Sequence, residues 1–244
     1  MKAILTGHTR GLGAAICEDL LMRKIPVLGI ARASNTELGK RFPETHEQCE
    51  LDLSDSAAVA AWLAGDVLRR FLDGCKTALL ISNAGTVQPV GPLGTQDATV
   101  IGRAIALNIA SPMMLANAMV AATPDAIDRR ILHVSSGAGR SAYPGWSVYC
   151  ATKAALDQHA RAVTLDKTSA LRICSLAPGV VDTDMQAEIR ATSLEQFPIR
   201  ERFDMLKRNG ELVSPQVCAR QLVDYLLSER FGREPVADLR TAGN

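Results

Sequence analysis

The sequence has little net charge, few aromatic residues and no long apolar run. Its 27 basic and 26 acidic side chains give a formal charge of +1, so no charge excess indicates binding to nucleic acid or to an anionic membrane. No uninterrupted apolar run reaches the roughly 18 residues that span a bilayer. The first apolar run begins at residue 2, which leaves no room for a leader peptide and predicts a cytoplasmic protein.

The sequence also lacks the spacings of disulfide frameworks and metal sites. The 6 cysteines include no Cys-x-x-Cys pair, and the 4 histidines show no pattern such as His-Glu-x-x-His. We therefore predict free, mostly buried thiols in a reducing compartment and no bound metal. The cysteines are Cys17, Cys49, Cys75, Cys150, Cys174 and Cys218.

Short apolar runs alternate with longer helical patterns, which is typical of βαβ units in a parallel sheet. The predicted strands are residues 2–6, 26–31, 48–51, 78–82, 130–135 and 171–177. The predicted helices are residues 11–23, 55–73, 97–122, 145–167 and 213–228. The pattern predicts one α/β domain over residues 1–244, a doubly wound Rossmann fold with six to seven parallel strands and helices on both faces. A seventh strand near residues 235–238 is left open, because it would have to form within the short tail of residues 235–240.

Residues 184–212 break this alternation. They mix apolar with basic side chains, carry no strand signal, and leave from the carboxyl end of the sixth predicted strand. In an open α/β sheet the ligand crevice lies at those ends. We therefore predict a substrate lid over 184–212, and the alternative is a surface helical excursion that packs on its own side chains.

A glycine-rich turn follows the first predicted strand. It reads Thr6-Gly7-His8-Thr9-Arg10-Gly11-Leu12-Gly13 and precedes a helical pattern. A strand-turn-helix unit points backbone amides at a phosphate, and glycine lets a pyrophosphate approach the backbone. The turn favours dinucleotide binding, although such a turn alone is as often structural as functional.

Tyr149 and Lys153 stand four residues apart in a predicted helix, so their side chains share one face. A cation beside a phenol favours the phenolate and lowers a pKa that is ordinarily about 10. Such a phenol suits proton donation to a carbonyl. Ser136 ends a predicted strand in the same crevice, where it can donate a hydrogen bond to a substrate oxygen.

Each of these features has a plainer interpretation. A lone Tyr-x-x-x-Lys pair is more often a solvated helix face, and a strand-end serine is more often a turn former. A Ser/His/Asp hydrolase is a weaker explanation, because the sequence has no Gly-x-Ser-x-Gly elbow and His133 lies inside a predicted strand.

Taken in order, the motifs resemble those of the short-chain dehydrogenase/reductase family over nearly the whole chain. They are Thr6-Gly-x-x-x-Gly-x-Gly13, Asn83-Ala84-Gly85, Asn108, Ser136, Tyr149-x-x-x-Lys153 and Pro178-Gly179-Val180-Val181-Asp182-Thr183. The sequence around Ser136 and Tyr149 looks most like the sepiapterin-reductase and benzil-reductase branch. That branch implies reduction of a ketone flanked by another carbonyl. Tyr143 and Trp146 then border the substrate or, alternatively, pack around the Pro144-Gly145 turn.

The resemblance implies four catalytic residues. Tyr149 is the general acid in reduction, and Ser136 polarises and orients the carbonyl. Lys153 lowers the pKa of the phenol and binds the nicotinamide ribose. Asn108 bends its helix and holds a water that relays protons to Lys153.

The resemblance also implies cofactor contacts along the chain. Tyr149 and Lys153 belong to this set as well. The other expected contacts are Gly7, Thr9, Arg10, Gly11, Leu12 and Gly13 in the turn, Arg32 after the second strand, Asp52 and Leu53 at the adenine, Asn83, Ala84 and Gly85 at the adenosine ribose, and Pro178, Val181 and Thr183 at the carboxamide.

The cofactor preference follows from charge. An NAD-selective site usually has an acid at the end of the second strand, and here that place reads Ile30-Ala31-Arg32. Arg10 and Arg32 without a carboxylate suit a 2′-phosphate, so we predict NADPH/NADP. The alternative is that either arginine is only a solvated surface charge.

These features together predict an NADPH-dependent carbonyl reductase that acts on a small-molecule carbonyl substrate, including 1,2-dicarbonyls. The alternatives are a non-catalytic nucleotide-binding sensor or regulator of the same fold, and an alcohol dehydrogenase that works in the oxidative direction. The family pairs through helices that correspond to residues 97–122 and 145–167, which implies a homodimer or homotetramer.

Overall fold

The computed structural model describes residues 1–242, which contain one parallel sheet of seven strands. The strands are β1 (Lys2–Thr6), β2 (Val27–Ala31), β3 (His46–Glu50), β4 (Thr77–Ser82), β5 (Asp128–Val134), β6 (Leu171–Ala177) and β7 (Val236–Asp238). They lie in the order β3-β2-β1-β4-β5-β6-β7. This order confirms the predicted doubly wound fold. The last two residues of the predicted domain, 243 and 244, lie outside the described residues.

Helices cover both faces of the sheet. In chain order they are α1 (Gly11–Met22), α2 (Thr36–Arg41), α3 (Ser56–Ala64), α4 (Val67–Leu72), α5 (Ala98–Ile105), α6 (Ser111–Ala122), α7 (Ser147–Leu165), α8 (Asp184–Ala191), α9 (Arg200–Arg208), α10 (Pro215–Leu227) and α11 (Leu239–Ala242). Side chains alternate across each strand, so Ala3 and Leu5 pack in a core with α1 and α10. Ile4 packs in the opposite core, with α3, α4 and α6.

Several predicted boundaries were wrong. The predicted helix 55–73 is two helices, because Gly65 ends α3 in an extended conformation. Helix α2 was missed because it is only six residues long, and Asn35 caps it by accepting from Leu38 N at 3.0 Å. Strand β3 begins at His46 rather than at 48, and β5 runs from Asp128 rather than from 130.

The helix predicted at 97–122 contains a π-helical turn at Ala106–Ala110 between α5 and α6. The whole stretch Ala98–Ala122 is 25 residues long with a mean hydropathy of 1.5. By length and composition alone it could span a membrane, although polar residues interrupt its apolar sequence. Its side chains Leu115, Ala116 and Met119 are buried against the sheet. Packing in the α/β layer therefore accounts for part of its apolar character, since 39% of its most apolar portion is buried.

The tail of the chain forms the seventh strand, which answers the question that the sequence left open. Val236–Asp238 pairs in parallel with β6, with Ser175 opposite Val236. The Arg140 guanidinium also donates to the carbonyl of Ala237 at 2.9 Å. The edge strand is therefore held by both backbone and side-chain bonds. All six cysteines are free thiols, as predicted, and Cys17, Cys174 and Cys218 are buried.

Two histidine pairs lie inside the fold. The rings of His8 and His46 meet edge to face with centroids 5.3 Å apart, and His133 Nε2 lies 3.2 Å from His159 Nδ1. Burial lowers the pKa of all four, to about 4 for His46 and to about 3 for His133. The four rings are therefore neutral in the folded protein near pH 7.

We expect the free energy of unfolding to fall as the pH drops from 7 towards 5. In this pH range the unfolded chain binds more protons than the folded chain, because its histidines have a pKa of about 6.5. Each histidine contributes up to about 1.4 kcal/mol per pH unit to the slope. Urea unfolding followed by circular dichroism at several pH values measures it. His159→Gln removes one titrating group, and a slope unchanged in that variant contradicts the interpretation.

Candidate active site

The ends of β1 and β4 are joined by a hydrogen-bond network around Thr6. Its Oγ1 accepts from the backbone N–H groups of Asn83 and Ala84, at 3.0 Å each. The Asn83 amide donates to the carbonyls of Thr6 at 3.0 Å and of Gly7 at 3.2 Å. The predicted glycine turn and the predicted Asn83-Ala84-Gly85 segment therefore face one crevice.

The glycine turn is too tight for side chains. A Cβ on Gly13 would lie 1.9 Å from the carbonyl oxygen of Gly7, and Gly7 itself has φ +70°. At Gly11, where φ is +53°, a Cβ would lie 3.4 Å from Cγ2 of Thr183. The turn thus lies against the 178–183 segment, and the two ends of the predicted cofactor site are neighbours.

Three other residues of the turn have distinct surroundings. Thr9 is half-buried, whereas the Leu12 side chain is buried in the core with α1, so only its backbone faces outward. His8, to which the sequence assigned no role, is fully buried and bonds Gln48 Oε1 through Nε2 at 2.9 Å. A Cβ on Gly29 would lie 2.6 Å from this ring. His8 therefore anchors the turn on β2 and β3.

Tyr149, Lys153 and Asp157 are buried on one face of α7, towards β5. Burial raises the pKa of Tyr149 to about 12, and a hydrogen bond with Ser136 opposes this rise. The Lys153 ammonium lies 5.7 Å from the centroid of the Tyr149 ring and donates to the carbonyl of Val134 at 2.8 Å. Burial lowers the pKa of Lys153 to about 8, and the charge of Asp157 opposes this fall.

The direction of the Tyr149 shift corrects the sequence prediction. The sequence predicted that Lys153 lowers the pKa of the phenol, but the pKa of Tyr149 is raised because loss of solvent is the largest effect. Both groups are therefore protonated near neutral pH.

Asn108 lies in the π-helical turn, so the helix is irregular where the sequence predicted a bend. Its Oδ1 accepts from Thr86 N at 2.9 Å, and its Nδ2 donates to Thr86 O at 2.9 Å and to Thr152 Oγ1 at 3.1 Å. A Cβ on Gly85 would lie 3.2 Å from Asn108 Oδ1 and 3.7 Å from Lys153 Nζ. The structure therefore brings Asn108, Lys153 and the segment after β4 together.

Asp52, a predicted adenine contact, is already engaged by other side chains. Its Oδ1 accepts from the backbone and hydroxyl of Ser54 at 2.9 and 2.7 Å, and its Oδ2 pairs with Arg103 at 3.0 Å. The Ser54 hydrogen bonds and the Arg103 charge lower the pKa of Asp52. Leu53 is buried in the core. Arg103 was missed because no sequence signal links α5 to the end of β3.

The residues around the predicted 2′-phosphate contacts carry charges of both signs, whereas the sequence predicted two arginines without a carboxylate. Arg32 is exposed, and Arg10 pairs with Asp184 at 3.4 Å while both side chains are more than 70% exposed (72% and 73%). A carboxylate is also present, because Glu50 lies opposite Ala31 in the register and accepts from Ser34 Oγ at 2.9 Å. Glu50 lies on β3, so the sequence at the end of β2 does not reveal it.

Beyond β6, the segment from Pro178 to Thr183 is tied to the start of α10. Val181 forms a parallel bridge with Val213, and Pro178 O accepts from the Cys218 thiol at 3.6 Å. The Thr183 hydroxyl lies 3.4 Å from Val181 O. Residues 184–212 therefore leave and rejoin the sheet at one point.

Between those ends, α8, α9 and the loop that joins them pack beside Tyr149. The Trp146 ring stacks on Phe197 with centroids 4.5 Å apart and meets the Tyr149 ring edge to face at 5.2 Å. Phe197 is fully buried. The apolar cluster consists of Val87, Val90, Ala138, Trp146, Tyr149, Ile189, Phe197 and Phe203. Residues 184–212 thus pack on the site and not only on themselves, and Trp146 has the packing role that the sequence left open.

Residues 1–194 match the family described as short chain dehydrogenase. The chain belongs to the short-chain dehydrogenase family. Members of this family are oxidoreductases that bind a nicotinamide cofactor. Among the described residues, no group of three or more His, Cys, Asp or Glu side chains is arranged to hold a metal ion.

Relatives of this short-chain dehydrogenase include enzymes of the predicted branch. A benzil reductase ((S)-benzoin forming) from Bacillus cereus is 35% identical over 235 residues, which cover 93% of this chain and 94% of that protein. A sepiapterin reductase from Meriones unguiculatus is 33% identical over 242 residues, with 93% and 92% covered. A short-chain dehydrogenase/reductase from Burkholderia vietnamiensis, known from its crystal structure, is 50% identical with a TM-score of 0.73, over 98% of this chain and 97% of that one.

Proposed function

We propose that this short-chain dehydrogenase is an NADPH-dependent carbonyl reductase with Tyr149 as its general acid. The observation that carries the proposal is the buried Tyr149 phenol, hydrogen-bonded with Ser136 and close to the Lys153 ammonium. The relatives named as benzil and sepiapterin reductases support carbonyl reduction. When bound, the cofactor supplies the hydride that reduces the carbonyl carbon.

The turn after β1 fits a dinucleotide. A side chain at Gly13 would collide with the carbonyl of Gly7, so the glycines let the turn close tightly before α1, and Arg10 at the start of α1 makes no side-chain capping bond. The first backbone N–H groups of α1 therefore remain available to a pyrophosphate. Thr183 beside Gly11 and Lys153 beside Gly85 would hold the nicotinamide end.

The proposed proton transfer uses groups that are protonated at rest. Ser136 orients the carbonyl oxygen, and Tyr149 Oη passes its proton to that oxygen as the hydride reaches the carbon. The phenolate formed is stabilised by the Lys153 ammonium, whose attraction counts for more in a buried site than in water. Lys153 thus acts after the proton leaves, which agrees with the raised pKa of the resting phenol.

The apolar cluster suggests the substrate class. Val87, Val90 and Trp146 place apolar and aromatic side chains beside Tyr149. Such a wall favours a small ketone with apolar substituents, in particular a 1,2-diketone. A homodimer or homotetramer stays a prediction, which the exposure of Val100 and Ile105 on α5 supports.

Replacement of Tyr149 tests the general acid. We expect Tyr149→Phe to lower kcat by about 10²- to 10⁴-fold, because the proton donor is lost while the ring remains. The assay is loss of NADPH with benzil, aliphatic 1,2-diketones, pterins, quinones and 3-oxoacyl thioesters. The matched control is Tyr225→Phe, another buried tyrosine, whose hydroxyl contacts Cys174 at 3.8 Å. Equal NADPH consumption by wild type and Tyr149→Phe contradicts the assignment.

The cofactor preference is tested by removing each proposed phosphate contact. We expect Arg32→Ala or Arg10→Ala to raise KM for NADPH by about 10-fold, since a charge-assisted hydrogen bond is lost, and to leave KM for NADH nearly unchanged. Arg69→Ala on α4, also exposed, is the control. Wild-type turnover with NADH that equals or exceeds turnover with NADPH overturns the preference.

We also propose that residues 184–212 act as a substrate lid. Phe197→Ala removes the ring that stacks on Trp146, so KM for the ketone should rise by about 10-fold or more while the Kd for NADPH stays close to that of wild type. Leu194→Ala, in the same segment but 43% exposed, should leave both values unchanged. Steady-state kinetics and nicotinamide fluorescence measure the two constants. An unaltered ketone KM in Phe197→Ala argues against the lid.

A further inference from the structure

Asp157 is a buried carboxylate to which no role has been given so far. It lies one helical turn beyond Lys153 on α7 and is 1% exposed. Its Oδ1 accepts from the hydroxyls of Ser135 at 2.8 Å and of Ser175 at 2.6 Å, and its Oδ2 accepts from Arg140 Nε at 3.0 Å. A buried charge with this many donors is fixed in position.

These contacts hold the loop that carries Ser136 at both of its ends. Ser135 immediately precedes Ser136, and Arg140 follows the helical turn Gly137–Gly139. A Cβ on Gly139 would lie 2.9 Å from the carbonyl carbon of Lys153, so the turn rests directly on the backbone of α7. The distance between Ser136 and Tyr149 therefore depends on the Asp157 contacts.

The titratable groups around Lys153 lie on two elements, α7 and β5. On α7, Asp157 raises the pKa of Lys153 against the effect of burial, and Tyr149 is neutral. On β5, His133 faces Lys153 with its pKa lowered to about 3, and its partner His159 is also neutral near pH 7 because burial lowers its pKa. Asp157 is therefore the anion whose charge acts on Lys153.

Arg140 is the cation that opposes this anion. It lies beside the buried Asp157 and also binds Ala237 O at 2.9 Å, and the Asp238 carboxylate lies near enough for Arg140 to lower its pKa. The Cys174 thiol also faces Arg140 and Asp157, and burial raises its pKa to about 11. Removal of Arg140 leaves the charge of Asp157 less compensated at Lys153.

We propose that Asp157 and Arg140 form a positioning pair that holds the Ser136 loop against α7, one helical turn from Lys153. The inference rests on the proposed function, because it assigns this pair to the same reaction. Neither residue touches the substrate, and both act through Ser136 and Lys153.

The pair makes two predictions of opposite sign. Without the carboxylate, Lys153 loses its proton more easily, so Asp157→Asn should move the alkaline limb of kcat/KM for reduction to lower pH by about one unit. Without the opposing cation, Lys153 holds its proton more firmly, so Arg140→Met should move the same limb to higher pH. Both variants should lower kcat, by about 10-fold, because the Ser136 loop loosens, and should leave the Kd for NADPH within about 3-fold of wild type.

The matched control is Arg172→Met. The Arg172 side chain is 29% exposed, close to the 28% of Arg140, and it binds Asp128 on β5 at 2.9 Å, away from α7. This variant should lose stability without a change in the pH profile. If Asp157 and Arg140 had only a structural role, all three variants would lose stability and keep the wild-type pH profile.

The outcomes separate this inference from the proposed function. If wild type reduces ketones and the alkaline limbs of both variants coincide with it, or shift in the same direction, the positioning pair is wrong. If wild type reduces no carbonyl, the proposed function fails. The inference is then decided by NMR titration of the Lys153 ammonium, whose signal is assigned with Lys153→Arg. Its pKa should fall in Asp157→Asn and rise in Arg140→Met. If Asp157→Asn does not fold, Arg140→Met carries the test alone, and an unshifted limb there overturns the proposal.

Discussion

The site depends on the burial of three ionisable side chains along one face of α7. Tyr149, Lys153 and Asp157 are only 7%, 5% and 1% exposed. A buried ammonium is tolerable only when it is hydrogen-bonded and near an anion, and Lys153 has Val134 O and Asp157 for this. Loss of solvent moves the pKa of the phenol up and that of the ammonium down, so both groups rest in the protonated form.

The order of the strands places this face where a dinucleotide can reach it. The chain adds strands outwards from β1 to β3 on one side of the parallel sheet and from β4 to β7 on the other, so the winding reverses between β1 and β4. The Thr6–Asn83 network joins the ends of these two strands. A crevice opens at such a point in any doubly wound sheet. The glycine turn lies on one side of it, and the start of α7 is brought to the other side through Gly85, Asn108 and Lys153.

Much of the fold and of the site could be predicted from residues that lie close together in the sequence. The remainder depends on contacts between distant segments. The glycine turn and the Tyr149–Lys153 pair each lie within a few residues, so their geometry follows from one turn or one helix. Arg103 on α5 pairs with Asp52, and Glu50 on β3 accepts from Ser34, and no residue near them in the sequence signals these contacts. The direction of the Tyr149 shift was missed because desolvation depends on the whole packing around the ring and not on its neighbour in the helix.

The bridge between Val181 and Val213 has a consequence for how this fold can diversify. The segment it encloses starts and ends at one point on the sheet, held by Asp182 N to Val213 O at 2.9 Å and Val213 N to Val180 O at 3.0 Å. Changes of length inside a closed excursion cost little conformational entropy and leave the strands in register. Changes inside this segment can therefore be accommodated without disturbing the strands and the helix that hold Tyr149 and Lys153 in place.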